Sequence, residues 1–163
     1  MNTKETFIKY LFITFCTLSL YSYGTAMMDY FLVYPSRFLI GEEEFIDYHQ
    51  LLEKAIIPIS VLPFLLITLL NILLMWFHPK GFPKTLLWIS LVCLVLDVIS
   101  TALFQAPWNI SLSEGKNVEV MQKITDTNWV RVFLESLQAI IVFKMLSATY
   151  SNDSASDSII SRA

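Results

Sequence analysis

Apolar positions along this chain collect into four long runs, roughly residues 11–28, 56–77, 85–104 and 129–150, with charged and amide side chains returning between them. Each run is close to the ~20 residues a helix needs to cross a hydrocarbon core about 30 Å thick. The pattern predicts an all-α fold, an integral membrane four-helix bundle. A soluble bundle would need a wide charged face on every helix, and the middle two runs have none.

Polar residues inside the runs recur at helical spacing. In the last run Asn128, Arg131, Glu135 and Gln138 follow at steps of three, four and three, and fall within roughly an 80° arc of one helix. Asp97, Thr101, Gln105 and Trp108 repeat the device in the third. The first run offers Tyr10, Thr14, Thr17, Tyr21 and Thr25 on one face, and the second offers His49, Glu53, Ser60 and Asn71. One polar stripe per helix implies a common polar seam, because charges within a membrane span face a bundle interior or a water-filled cavity.

Punctuation between the runs sharpens the layout. A helix is expected to start near residues 41–42, where Glu42, Glu43 and Glu44 suit the positive end of the helix dipole. Pro58 and Pro63 are expected to kink or break the second span, and Pro83 to precede the third. Thr125, Asp126 and Thr127 are candidate caps for the fourth. Lys4, Lys9, Lys80, Lys84 and Lys144 lie at one end, and Arg37, Lys54, Lys116 and Lys123 lie opposite, in the connections 29–55 and 105–128, which are acidic; the positive-inside rule puts both termini on the cytoplasmic side. The Ser/Asp-rich stretch 151–163 reads as a disordered tail.

Composition agrees with a membrane class. Of 163 residues, 55% are apolar and 15% charged, and the mean hydropathy is +0.59. A net charge of −3 with no Lys/Arg cluster gives no footprint for nucleic acid. Cys16 and Cys93 sit alone in separate spans and read as packing residues. The residues before Ala26 superficially resemble a secretory signal, but the run is long for one, so an uncleaved first span is expected. Trp76, Trp88, Trp108 and Trp129 lie near span ends, where aromatic residues anchor helices at the interface.

The candidate chemistry gathers toward the outer half. Arg131, Asn128, Gln105 and Asn109 are expected near the outer mouth, with His49 overhanging it, Glu135 a turn deeper, and Asp97 and Gln138 as the floor. Arg131 and Glu135, four apart, are candidates either to pair with each other or to touch a ligand. His78 is too far from His49 to share a haem or di-metal centre, and neither a metal constellation, a nucleotide loop nor a catalytic triad is readable. No cofactor is expected.

The run APWN, followed some twenty residues later by TDTNWVR, resembles the anthrone-oxygenase-like family of small four-helix membrane proteins; YPSRF and YHQLLEKAIIP occupy that family's proline-containing outer segments. The resemblance points to Pro107, Asn109, Asn128, Trp129 and Arg131, and more loosely to His49. It implies cofactor-independent oxygenation of an apolar phenolic or quinone-like compound entering from the lipid. In that reading His49 or Asp97 acts as base, Arg131 with Asn109 and Asn128 steadies the developing oxyanion, and Gln105, Glu135 and Gln138 complete the substrate pocket. Two alternatives use the same seam: a non-catalytic carrier of a lipid-like ligand or proton, and a structural subunit. The partners expected are the lipid bilayer and an apolar small molecule, with a homo-oligomer or a membrane-protein partner left open. The expected location is a bacterial plasma (inner) membrane.

Overall fold

The computed structural model describes residues 3–77 and 83–160, with side chains through residue 149. Four long helices account for nearly all of it: α1 Thr3–Arg37, α2 Glu42–Phe77, α3 Lys84–Glu114 and α4 Val118–Ile160. All four are long and apolar enough to cross a membrane. Helix α1 packs on α2 and α4, and α3 packs on the same two, which makes a four-cornered bundle. The start of α1 meets the end of α2 where Phe7 stacks edge-on against Phe77, 5.5 Å between centroids. At the opposite end Lys116 donates to the carbonyls of Phe38 and Ile40, tying the α3–α4 turn to the α1–α2 turn.

The helices outrun the apolar runs. The acidic connections expected at 29–55 and 105–128 are mostly helix, leaving turns only at residues 38–41 and 115–117. Hydropathy marks where lipid ends, whereas a helix ends where its backbone is stopped. Gly115, at φ 146°, takes a conformation that a side chain disfavours and terminates α3. The true cap of α4 is Asn117, whose side-chain oxygen accepts from the Val120 N–H at 3.1 Å. The proposed caps Thr125, Asp126 and Thr127 are therefore helix interior, and the two threonine hydroxyls bond back to the carbonyls of Met121 and Lys123. The helical backbone of α4 also continues past Tyr150 to Ile160, into the stretch expected to be disordered. His78 and Lys80 lie outside the described residues.

Prolines widen three helices without breaking them. Single π turns occur at Asp29–Val33, Ile57–Val61 and Thr101–Gln105, and each ends two residues before a proline: Pro35, Pro63 and Pro107. The central residue of each turn, Phe31, Ile59 or Leu103, is the one four positions before the proline, whose carbonyl would clash with the ring. Adding a residue to the turn relieves that clash. Backbone angles stay right-handed on both sides; in α2 they are φ −64°, ψ −33° at Ile56 and φ −63°, ψ −48° at Leu62. The Ile59 carbonyl, denied a donor by Pro63, instead accepts from the Tyr21 hydroxyl at 2.9 Å. Tyr21→Phe is expected to cost about 0.5–1.5 kcal/mol, and close to nothing in a Pro63→Ala background where a backbone donor returns. Unfolding of the four variants of this cycle in micelles measures the coupling.

Two apolar cores lie along the bundle. The larger, near the termini, is built on Phe15, Ile67, Leu74, Leu87, Val142 and Met145. A smaller one closes the opposite end with Tyr34, Phe45, Leu112, Met121 and Ile124. Leu62, Leu65, Leu69 and Ile72 of α2, with Val92, Val95, Leu96 and Ile99 of α3, are exposed and give the bundle an apolar exterior fit for lipid. Trp76, Trp88 and Trp129 are exposed as well, as membrane anchors are. The Tyr10, Thr14, Thr17 and Tyr21 face of α1 turns outward and does not join the seam; Ser19, Ser22 and Ala26 are the buried positions there. Bulky Leu11 and Phe15 decide the rotation of α1, because their burial outweighs that of hydroxyls.

Candidate functional site

Between the two cores, all four helices line a cavity of about 550 Å³. Its polar wall comprises Tyr34 and Arg37 from α1, His49 and Glu53 from α2, Thr101, Gln105 and Asn109 from α3, and Arg131 from α4. Two of the widened turns border it, through Ile57 and Val61 and through Thr101 and Gln105. The turns re-aim the helix faces by about one residue, which is how one cavity gathers groups that regular spacing would spread.

Asn109 is the hub of this wall. Its Oδ1 accepts from Arg37 Nη1 at 2.9 Å, its Nδ2 donates to the Gln105 carbonyl at 2.8 Å, and its own carbonyl receives His49 Nε2 at 2.9 Å. A carbonyl oxygen only accepts, so His49 carries its proton on Nε2. In the neutral ring Nδ1 is then a lone pair, buried and without a hydrogen-bond partner among the described residues. Phe45 stacks parallel to the imidazole at 5.9 Å and fixes the ring plane. Glu53 Oε1, 3.5 Å from Nε2, stands ready to compensate an imidazolium.

Arg37 is the more telling group. It is 4% exposed, its guanidinium lies 4.8 Å over the Tyr34 ring, and its Nε has no partner. Among the described residues no carboxylate comes within ion-pair distance of it. A buried guanidinium bonded to a neutral amide and an aromatic face, with Asp29 and Glu53 near it but beyond ion-pair distance, retains donors for something else. Truncating the amide in Asn109→Ala is expected to lower stability by roughly 1.5–3 kcal/mol, since it leaves a charged donor unmet. Thermal unfolding in detergent measures it.

Arg131 has a different partner from the one its helix suggested. Its Nη1 reaches Asp29 Oδ2 of α1 at 2.9 Å, and the two side chains are 13% and 17% exposed. Glu135 instead accepts from Ser22 at 2.7 Å, and Gln138 approaches the Ser19 hydroxyl at 3.5 Å. Asp97, Glu135 and Gln138 line a separate small cavity with Phe64, Cys93, Leu94 and Leu134, too tight to admit water. Asn128 is fully buried, reaches neither cavity, and has no side-chain hydrogen bond. Gln105 donates to Thr127 Oγ1 at 2.9 Å and to the Ile124 carbonyl, fastening α3 to α4 at the rim.

Of the eight sequence candidates, the mouth cavity thus unites His49, Gln105, Asn109 and Arg131, and the inner cavity unites Asp97, Glu135 and Gln138. A second cleft of about 520 Å³ adjoins the mouth between α1 and α2, mostly apolar, lined by Tyr21, Met28, Asp29 and Ile59 among others. It shares Tyr34, Arg37, Leu52 and Ile56 with the mouth. Arg37 and Tyr34 therefore stand between an apolar cleft and a polar chamber. Sequence reasoning passed over Arg37 as an outer-loop cation and Asp29 as a span boundary. The signal for Arg37 was its isolation as the one charge in FLVYPSRFLI.

Fold and site together define a four-helix, membrane-type protein with a polar chamber near one end and an apolar side cleft. No family model matches the chain, and no curated protein or solved structure matches it either.

Proposed function

We propose that this protein binds an apolar phenolic or quinone-like compound and activates it as its oxyanion, the chemistry of a cofactor-independent oxygenase. The observation that carries the reading is the pairing in one chamber wall of Arg37, a buried guanidinium with no carboxylate within ion-pair distance among the described residues, with His49, whose buried Nδ1 has no hydrogen-bond partner. Ligand entry turns the His49 ring so that its buried Nδ1 meets the chamber and removes the proton, Glu53 steadies the imidazolium, and Arg37 holds the oxygen on which charge develops. The fused rings rest in the α1–α2 cleft, which also offers the route in from lipid. With dioxygen as the co-reactant, a ring CH2 flanked by aromatic rings becomes a carbonyl. One oxygen atom enters the product, and the other leaves as water with the two hydrogens.

This reading places the chamber toward the outer face of a bacterial plasma membrane and both termini in the cytoplasm. The lysines at the terminal end support that orientation. Two cations at the chamber end are already engaged, Lys116 by the carbonyls of the α1–α2 turn and Lys123 by Glu119 at 2.7 Å. Oxygen uptake by nanodisc-held protein given anthrone tests the activity. Uptake above that of empty nanodiscs is expected, falling at least ~100-fold in His49→Gln, within the range general bases contribute. Asn109→Asp, which gives Arg37 an internal counter-charge, is expected to weaken phenolate binding while the fold persists. A second reading, a non-catalytic carrier of an acidic amphiphile, is favoured by the apolar side cleft. It predicts binding that survives His49→Gln and no oxygen uptake.

A further inference from the structure

We propose that Asp97 and Glu135 form a proton-binding site in the middle of the bundle, distinct from the chamber at the mouth. Asp97 is 3% exposed, and its Oδ1 has no donor; Gln138 is 1% exposed, and its Oε1 has none. Both residues line the inner cavity together with Glu135. The donors that reach this group come from α1, where the Ser22 hydroxyl serves Glu135. The Gln138 amide is directed at Ser19 instead. Oxygen acceptors therefore outnumber donors in a site from which solvent is excluded.

The missing donor is very small. The cavity has no room for a water molecule, so neither a bridging water nor a hydrated cation supplies it. A hydrogen on one carboxyl does, turning an acceptor into an O–H donor aimed at a neighbouring oxygen. Charge gives the same answer independently. The interior groups Arg37, Arg131, Asp29, Asp97 and Glu135 comprise two guanidiniums against three carboxylates, and the nearest guanidinium, Arg131, is bonded to Asp29. One proton shared by Asp97 and Glu135 leaves the interior neutral. The remaining neighbours do not alter this: α2 lines the cavity with Phe64, and α3 adds the Cys93 thiol.

The site is one helical turn from the mouth on two helices. Thr101 stands four residues beyond Asp97, Arg131 four before Glu135, and both line the chamber. A proton held here is thus poised to exchange with the chamber whatever the chamber binds.

Infrared spectroscopy of the wild-type protein in lipid nanodiscs at neutral pH tests the proposal. A protonated-carboxyl C=O band is expected, displaced in D2O without loss of helical amide signal. It should vanish in Asp97→Asn and in Glu135→Gln, where the new amide supplies the donor and the surviving carboxylate ionises. Absence of the band in wild type, or its persistence in both folded variants, overturns the proposal. The wild-type spectrum decides even where a variant fails to fold.

Discussion

Arg37→Met is expected to remove the binding of an anionic aromatic ligand almost completely, with the fold retained. Arg37 meets no carboxylate among the described residues, so its loss strands no buried anion; the Asn109 amide oxygen is the one acceptor left open. In the proposed complex the Arg37 guanidinium faces the ligand oxygen, and losing one partner of a buried, hydrogen-bonded charge pair costs about 2–5 kcal/mol, or ~30- to ~4,000-fold in affinity. Arg37→Lys is expected to recover only part of this, because an ammonium cannot hold Asn109 and a ligand oxygen in one plane. Fluorescence titration of a hydroxynaphthalene probe into nanodisc-held protein measures the series. Unchanged affinity in Arg37→Met sinks the role assigned to it.

The Asp29–Arg131 pair is expected to show the largest effect on stability. It joins the neighbouring helices α1 and α4 beside the chamber, largely shielded from water. Removing one member leaves the other charge uncompensated, at a cost of about 3–5 kcal/mol. Arg131→Leu and Asp29→Leu should each destabilise severely, whereas the double variant should recover most of the loss. Thermal unfolding of the three variants in one detergent checks this. Additive losses in the double variant would mean that the charges are stabilised by separate partners. The same cycle separates the present pairing from one between Arg131 and Glu135, because Glu135→Gln should cost little beside either.

These two residues also show where the sequence was legible. Four spans, their order and the helical start at Glu42 follow from hydropathy and acidic first turns, both local properties. The ladder on α4 was readable too, since Glu135 and Gln138 are buried and face inward as its spacing implies. The partners were not. Arg131 has a carboxylate four residues away on its own helix, and helical spacing alone favours that neighbour. Only the packing of α1 brings Asp29, 102 positions distant, into reach. Nor does spacing register a π turn. Regular 3.6-residue counting assigns Tyr10 through Thr25 to the seam, yet the close fit of Leu11, Phe15 and Ser19 sets the rotation of α1. Hydropathy similarly truncated α3 and α4, whose outer turns leave the apolar zone as helices and carry the second core. His49 and Asn109 were found because amides and imidazoles are conspicuous near span ends. Arg37 escaped because a lone arginine beside a proline reads as a loop.

That the chamber behind Arg37 and His49 holds an acidic, apolar small molecule is the core of the proposed function. Its most direct test is mass spectrometry of the compounds extracted from purified protein, comparing wild type with Arg37→Met prepared identically. A ring-containing phenol or enol is expected in the wild-type extract, depleted at least ~30-fold in the variant, in line with the loss of one buried charge-pair partner. Identical extracts containing only bulk membrane phospholipid would contradict it.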